Sequence, residues 1–263
     1  MGILNLSPDS FYDGGNNRTP FDIIKNTDKM LDQGAAIIDI GAASSRPGAM
    51  LIDPERELKR LIPAIELVVK NFKDAIISID TYNAKTAREA INCGAHIIND
   101  ISAGSIDPLM FETIADLNVP YIIMHMKGVP QTMQENPTYT DPIKEITFFF
   151  SQKIEQLKQL GVHDIFIDPG FGFGKTVNDN YKILHNLEYL KVIEVPIMVG
   201  LSRKSMISKV LGVAPQDALN GTTALNTIAL QKGANILRVH DVKEAIEVIR
   251  IMEMFYQIDE LGL

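Results

Sequence analysis

One local phrase recurs along the chain and constrains its fold more than any other feature. Each copy runs from a glycine through a short apolar, often β-branched run to a polar residue, at 34–39, 94–99 and 233–238, with a looser copy at 161–168. The glycine suits the left-handed position that ends many helices. Near-continuous apolar runs are typical of parallel strands buried on both faces. The repeat therefore predicts helices that alternate with parallel strands.

This alternation extends over the whole chain. We predict strands at 3–6, 37–40, 76–79, 97–99, 121–124, 165–167, 197–199 and 236–239. Amphipathic stretches of helical length lie at 53–71, 83–93, 109–117, 143–160, 220–232 and 242–258. Eight strands with intervening helices favour an α/β fold, a single (β/α)₈ barrel over residues 1–263. A doubly wound open sheet is the alternative.

Composition excludes several classes of protein. Apolar residues make up 46% and charged residues 22% of the chain, as in ordinary globular proteins. The net charge of −8 and the lack of a basic run argue against nucleic-acid binding. No apolar run is long enough to cross a bilayer, no basic segment opens a secretory signal, and Cys93 stands alone. We expect a cytoplasmic protein that binds neither nucleic acid nor membrane.

Polar residues lie at or just beyond the end of almost every predicted strand. They are Asn5, Asp39, Asp80, Asn99, His125, Asp168, Ser202 and Arg238. In a barrel this end carries the active site. Each buried polar group must be hydrogen-bonded or costs about 1–3 kcal/mol, so the set indicates one ligand with many hydrogen-bonding edges.

The loops after the first two strands carry two further candidate groups. Asn5, Asp9 and Asp13 offer the oxygen ligands that Mg²⁺ prefers, although an Asx-turn loop with solvated acids has the same composition. Arg46, which follows two serines and precedes Pro-Gly, suits an oxyanion clamp. A surface turn with a solvated arginine explains that segment equally well.

The glycine-rich segment 168–176 fits neither common phosphate-binding pattern. Pro169 stands where the P-loop needs glycine, and Lys175 replaces the third glycine of the dinucleotide fingerprint. Glycines that alternate with phenylalanines instead predict a backbone that approaches a flat ligand beside an aromatic face.

Anion-binding residues follow the last two strands, where barrels commonly hold phosphate. Ser205 opens a predicted helix beside Lys204, while Arg238 and His240 share one side of the last strand. Lys204 also fits a Schiff-base lysine, so an aldolase is an open alternative. The five histidines form neither His-x-His nor His-Glu-x-x-His, which argues against a zinc hydrolase.

Taken in order, these motifs resemble the dihydropteroate synthase family from residue 2 to near the C-terminus. They are GILN at 2–5 with PDSF at 8–11, SSRPG at 44–48, SIDT at 78–81, IND at 98–100, MHM at 124–126, DPGFGFGK at 168–175, SRKS at 202–205 and RVHD at 238–241. The resemblance implies a (β/α)₈ barrel that joins 6-hydroxymethyl-7,8-dihydropterin diphosphate to 4-aminobenzoate in folate biosynthesis. The products are 7,8-dihydropteroate and pyrophosphate. It also implies Mg²⁺, a homodimer and inhibition by sulfonamides.

The resemblance assigns roles residue by residue. Pterin-binding residues are Asp80, Asn99, Ile101, Met124, Asp168, Gly172, Phe173, Lys204 and Arg238. The aminobenzoate pocket is formed by Phe11, Ser45, Arg46, Pro47, Lys204 and Ser205. Catalytic residues are Asn5, Asp9, Asp13, Arg46, Lys204, Arg238 and His240, with Asn5 as the metal ligand, and the implied mechanism is dissociative. Ser45 departs from the threonine that many members have.

Two related proteins are alternatives to a synthase. A pterin-binding methyltransferase, which moves a methyl group from a folate to a corrinoid, shares the residues that bind the pterin. It needs neither the aminobenzoate pocket nor the anion site at Lys204 and Ser205. A non-catalytic pterin-binding module would dispense with the loop acids, Arg238 or His240.

Overall fold

The structure, a computed structural model, describes residues 1–6, 19–43, 48, 50–135 and 137–260. Within these residues the strands are β1 (Gly2–Asn5), β2 (Ile37–Gly41), β3 (Ile76–Asp80), β4 (Ile97–Asp100), β5 (Tyr121–Met124), β6 (Ile165–Asp168), β7 (Met198–Val199) and β8 (Ile236–Leu237). The helices are α1 (Pro20–Asp32), α2 (Pro54–Asn71), α3 (Ala84–Asn92), α4 (Met110–Leu117), α5 (Pro142–Gln159), α6 (Val177–His185), α7 (Ser205–Leu211), α8 (Leu219–Gln231) and α9 (Val242–Glu260). Short 3₁₀ helices span Leu187–Ile193 and Pro215–Asp217.

The strands form a closed parallel barrel. Strands β1 to β6 pair in sequence order, and β7 pairs with β8. A bridge between Ile167 and Ile197 joins β6 to the β7 side, and a bridge between Gly2 and Val239 joins the β8 side to β1. The amide of Ile3 donates to the Val239 carbonyl oxygen at 3.0 Å, which completes the ring. The predicted (β/α)₈ barrel is confirmed, and the open sheet is wrong.

Local sequence explains where the helices begin and end. Thr19 and Asp22 form a capping box at α1, and Asp53 caps α2 by accepting from two backbone amides. Gly94 and Gly233 end their helices with φ angles of 102° and 99°, as the recurrent phrase predicts. Predicted strand bounds hold to within two residues, whereas α1 and α6 were not among the predicted helices.

The interior of the barrel is apolar in its lower part, toward the amino ends of the strands, and largely polar in its upper part, toward the carboxyl ends. Buried Ile97, Ile122 and Met198 form the lower part, packed against Met1, Ile37, Phe166 and Ile236. Residues two positions farther along a strand share the same face. Asp39, Asn99, Met124, Asp168 and Arg238 therefore follow this apolar group toward the carboxyl ends of the strands.

The helices pack their apolar faces around the outside of the barrel. The large buried cluster includes Leu61 and Ile65 of α2, Phe150 of α5 and Leu225 of α8. Among the helices that the structure describes, none combines the length and the apolar character that crossing a bilayer requires.

Candidate active site

Four polar side chains from four strands meet in the upper barrel. Nε of Arg238 donates to Oδ2 of Asp39 at 2.6 Å, and its Nη2 donates to Oδ2 of Asp80 at 2.7 Å. Nδ2 of Asn99 donates to the same oxygen of Asp39 at 3.2 Å. Four of the eight strand-end polar residues therefore form one network, and Asp39, to which the resemblance assigns no role, belongs to it.

This network contains two acidic side chains and one basic side chain. Burial raises the pKa of Asp80; Arg238 lowers it, and Asp39 raises it again. Burial lowers the pKa of Arg238, but Asp39 and Asp80 raise it by more, so the guanidinium stays charged. Two carboxylates thus share one fixed cation, an arrangement that favours ligands with N–H donors.

Asp168 and Lys204 are a charged pair beside this network, near enough for each to shift the pKa of the other. Oδ1 of buried Asp168 accepts from the Gly170 amide at 2.7 Å. Burial raises the pKa of Asp168, while Lys204 lowers it. Burial likewise lowers the pKa of half-buried Lys204 to about 8, with Asp168 opposing the change. Nζ of Lys204 donates to the Phe171 carbonyl oxygen and lies 4.8 Å from the centre of the Phe173 ring.

An apolar wall stands next to these charges. Ile101 and Met124 are buried together with Tyr82, and Phe173 packs against the three of them. The predicted lining residues therefore do lie together. Tyr82 was missed by the sequence analysis, although it follows Asp80 by two residues. Its hydroxyl oxygen accepts from the Ile52 amide at 2.7 Å, which ties the wall to the chain just before α2.

A buried lysine stabilises the backbone of the glycine-rich segment through hydrogen bonds. Nζ of Lys175 lies 2.9 Å from the carbonyl oxygens of Gly170 and Phe173, 3.1 Å from that of His125 and 3.0 Å from Nδ1 of His125. Burial and the Lys175 charge lower the pKa of His125 to about 2, so this histidine is neutral. Lys175 was missed as a structural cation because its sequence neighbours suggested a ligand loop.

The glycines of this segment serve two purposes. A Cβ at Gly170 would collide with the His125 carbonyl oxygen, and one at Gly174 with that of Lys127. These two glycines therefore admit the neighbouring backbone, which corrects the expectation that all three admit a flat ligand. Gly172, the predicted pterin residue, would place a Cβ 3.5 Å from Cδ of Lys204 and is the one of the three that faces the charged pair.

His240 and Ser205 lie after β8 and β7. Nδ1 of His240 is 3.0 Å from Oγ of Ser202. Burial, followed by Arg238, lowers the pKa of His240 to about 4, so its imidazole is neutral near pH 7. Ser205 opens α7 directly after Lys204, as predicted.

A cavity of about 410 Å³ borders Ser205 and the end of the glycine-rich segment. Its lining includes Gln134, Thr138, Thr176, Asn180 and Lys209. Ser205, a predicted aminobenzoate residue, therefore lines a cavity large enough for a small molecule.

Part of the predicted site lies outside the described residues: Asp9, Phe11, Asp13, Ser45, Arg46 and Pro47. Asn5 ends β1 and is half-buried. No group of three or more His, Cys, Asp or Glu residues in the described part of the chain could hold a metal ion. An amide oxygen nevertheless fits Mg²⁺, which usually keeps several waters and binds through one or two protein groups plus substrate phosphates.

The fold and this site define a class of protein. The profile of the family described as "Pterin binding enzyme" matches residues 1–240. The chain belongs to that family. Dihydropteroate synthase of Escherichia coli (strain K12) is 44% identical over 255 residues, which are 96% of this chain and 90% of that protein. The chain therefore belongs, among the pterin-binding enzymes, to the dihydropteroate synthases, which are transferases of folate synthesis.

Solved structures agree with this assignment. The structure of Yersinia pestis dihydropteroate synthase with a sulfonamide drug superposes with a TM-score of 0.95 at 41% identity, covering 98% of this chain and 94% of that one. Dihydropteroate synthase from Xanthomonas albilineans in complex with 7,8-dihydropteroate gives a TM-score of 0.84 at 32% identity, with coverage of 97% and 92%.

Proposed function

We propose that this chain joins 6-hydroxymethyl-7,8-dihydropterin diphosphate to 4-aminobenzoate, giving 7,8-dihydropteroate and pyrophosphate. The observation that carries the proposal is the convergence of Asp80, Asn99, Asp168 and Arg238 beside an apolar wall. The 7,8-dihydropteroate complex of the Xanthomonas relative supports the same product here.

Pterin recognition follows from the chemistry of the upper barrel. A pterin has a flat ring with amidine-like N–H donors on one edge and acceptors on others. Asp168 accepts from paired N–H groups, Asp80 and Asn99 bind the remaining edges, and Lys204 donates to a ring acceptor. Arg238 stacks over one face of the ring. Ile101, Met124 and Phe173 cover its faces, while Gly172 leaves room for the ring beside Lys204.

The reaction proceeds by departure of the leaving group before attack. The bond between the exocyclic carbon and the ester oxygen of the diphosphate breaks, and its electron pair leaves with pyrophosphate. The resulting cation is delocalised into the pterin. The amine nitrogen of aminobenzoate then bonds to this carbon and loses one proton to solvent. A neutral arylamine needs no strong base before it attacks.

Fixed charges stabilise the leaving pyrophosphate. Arg238 supplies a permanent positive charge, and His240, neutral near pH 7, adds a hydrogen-bonding imidazole after the same strand. Asn5 would hold Mg²⁺, assisted by the loop acids Asp9 and Asp13, and the ion would neutralise diphosphate charge when bound. Arg46 adds a further cation from its loop.

We place the second substrate, 4-aminobenzoate, beside Lys204. Lys204 and Ser205 receive its carboxylate, with Phe11, Ser45, Arg46 and Pro47 completing the pocket. Sulfonamides compete for this pocket, in keeping with the drug complex of the Yersinia relative. We further propose that the chain is one cytoplasmic barrel domain over residues 1–263 and works as a homodimer.

A coupled assay of pyrophosphate release tests the proposal. The enzyme is incubated with the pterin diphosphate and Mg²⁺, with and without 4-aminobenzoate. We expect release that depends on aminobenzoate and yields dihydropteroate. Asp168→Ala raises the pterin Kd about 100-fold, because several charge-assisted hydrogen bonds are lost, and Arg238→Ala abolishes turnover. Pterin binding without release under either condition would support the methyltransferase or the binding module instead.

A further inference from the structure

We propose that Asp39 is a positioning residue for pterin recognition, which holds Arg238 and Asn99 in the orientations that the ligand requires. This inference rests on the proposed function. Asp39 lies below the ends of the strands. It belongs neither to the motifs that carry the family resemblance nor to the residues predicted to contact a ligand.

Asp39 occupies a central place in the barrel. It lies on the inward face of β2, between Ile37 in the lower apolar group and Gly41 at the strand end. Its side chain has no solvent exposure. One of its oxygens, Oδ2, accepts from both Arg238 and Asn99, whose strands are β8 and β4. A single atom thus joins two predicted pterin-binding residues from different sides of the barrel.

The contact with Arg238 sets the direction of the guanidinium. A hydrogen bond at Nε fixes the plane of the group close to its stem, and the bond from Nη2 to Asp80 then follows. Nη1 has no hydrogen-bond partner within the described part of the chain and is available to a ligand. Without Asp39, Arg238 has Asp80 as its sole described carboxylate partner and competes with the pterin for it.

The contact with Asn99 sets the direction of its amide. A carboxylate is a pure acceptor, so Asn99 must turn its NH₂ group toward Asp39. Its carbonyl oxygen then points away from Asp39 and can accept from a pterin N–H. Loss of this constraint lets the amide turn over and present a donor where the ligand needs an acceptor.

Electrostatics give the proposal a second signature. The charged and titratable groups around Asp80 include Arg238 from the β8 side, Lys204 just before α7 and Tyr82 just beyond β3. Three acids, Asp39 from β2, Glu57 from α2 and Asp100 from β4, raise its pKa. Neutralising Asp39 therefore lowers the pKa of Asp80. The pH at which pterin affinity begins to fall on acidification moves downward.

The test is Asp39→Asn, which keeps the shape and removes the charge. Binding of the pterin diphosphate is measured by calorimetry, and both KM values by pyrophosphate release. We expect the pterin Kd to rise about tenfold or more, with the KM for 4-aminobenzoate within about twofold at saturating pterin. The midpoint of the pH dependence of pterin binding moves to lower pH.

Asp100→Asn is the matched control. Asp100 is equally buried at the end of β4, and it accepts from Ser102, Gly104 and Tyr121, which have no predicted role in the site. We expect this variant to lose stability and keep both KM values. It should move the pH midpoint less than Asp39→Asn does, because Asp100 raises the pKa of Asp80 by less than Asp39 does. A pterin Kd for Asp39→Asn within twofold of wild type overturns the proposal. So does a fall in kcat with both KM values unchanged, because that indicates a smaller folded fraction.

A second pair of variants covers the case in which Asp39→Asn does not fold. Arg238→Met removes the cation that would be left without its partner, and Asp39→Ala is added to that background. The double variant is expected to bind pterin about fivefold more weakly than Arg238→Met, because Asn99 has lost its acceptor. Equal Kd values refute the role of Asp39. Failure of the wild-type protein to bind the pterin diphosphate would instead refute the proposed function.

Discussion

Replacing Lys175 with methionine is expected to destabilise the fold by about 3 kcal/mol. Lys175 is 3% exposed, burial lowers its pKa to about 7, and its amino group donates to three carbonyl oxygens. The Gly170 carbonyl oxygen also accepts from the Phe173 amide at 3.1 Å, so it keeps one hydrogen bond in the variant. The carbonyl oxygens of His125 and Phe173 lose their described partner. Each orphaned carbonyl costs about 1–3 kcal/mol. Relief from burying a charge offsets part of this sum.

The assay is thermal unfolding followed by near-ultraviolet circular dichroism. A loss of about 3 kcal/mol lowers the Tm by roughly 6–12 °C in a chain of this size. Lys182→Met is the control, because Lys182 is exposed on α6 and should change the Tm by little. Since Lys175 holds the backbone at Phe173, a residue of the apolar wall proposed for the pterin, the KM for the pterin diphosphate should rise as well. Equal Tm values for the two variants would refute the reasoning.

Three further predictions concern the binding pockets. Burial brings the pKa of Lys204 to about 8, so the KM for aminobenzoate should rise between pH 7 and 9 as the ammonium is lost, and Lys204→Arg should flatten that rise. Chelation of Mg²⁺ should abolish pyrophosphate release, and Asn5→Ala should raise the Mg²⁺ concentration needed for half-maximal rate; an unchanged Mg²⁺ titration would remove Asn5 from the metal site. Ser45→Thr adds one methyl group, worth about 0.8 kcal/mol when buried, and should tighten aminobenzoate and sulfonamide binding by about fourfold, so unchanged affinities would show that this methyl group does not pack on the ring.

The sequence by itself predicted the architecture and the face of the barrel on which the polar strand-end residues gather. Glycine followed by a β-branched run marks the junction of a helix and a buried parallel strand because both steps are local backbone preferences. Gly94 and Gly233 confirm this with their left-handed φ angles. Polar residues at strand ends could be gathered into one site because parallel strands of a barrel all end on the same face.

Helix detection was less complete. The helices α1 and α6 begin at capping boxes, Thr19 with Asp22 and Thr176 with Asp179, where aspartate rather than glutamate or glutamine takes the third position. Both helices nevertheless have a clear amphipathic pattern, so a signal that the sequence carries was missed. Packing against the barrel stabilises such helices, and that contribution is absent from local sequence.

Tertiary structure alone decided which polar side chains bind each other. Asp39 and Arg238 are 199 positions apart and meet because β2 and β8 flank β1 once the barrel closes. Lys175 turned out to support the backbone, since its ammonium points at the carbonyl oxygens of the β5 and β6 loops. Motifs reveal which chemical groups are present. Their partners depend on strand register and on the inward or outward direction of each side chain, and those are set when the last strand pairs with the first.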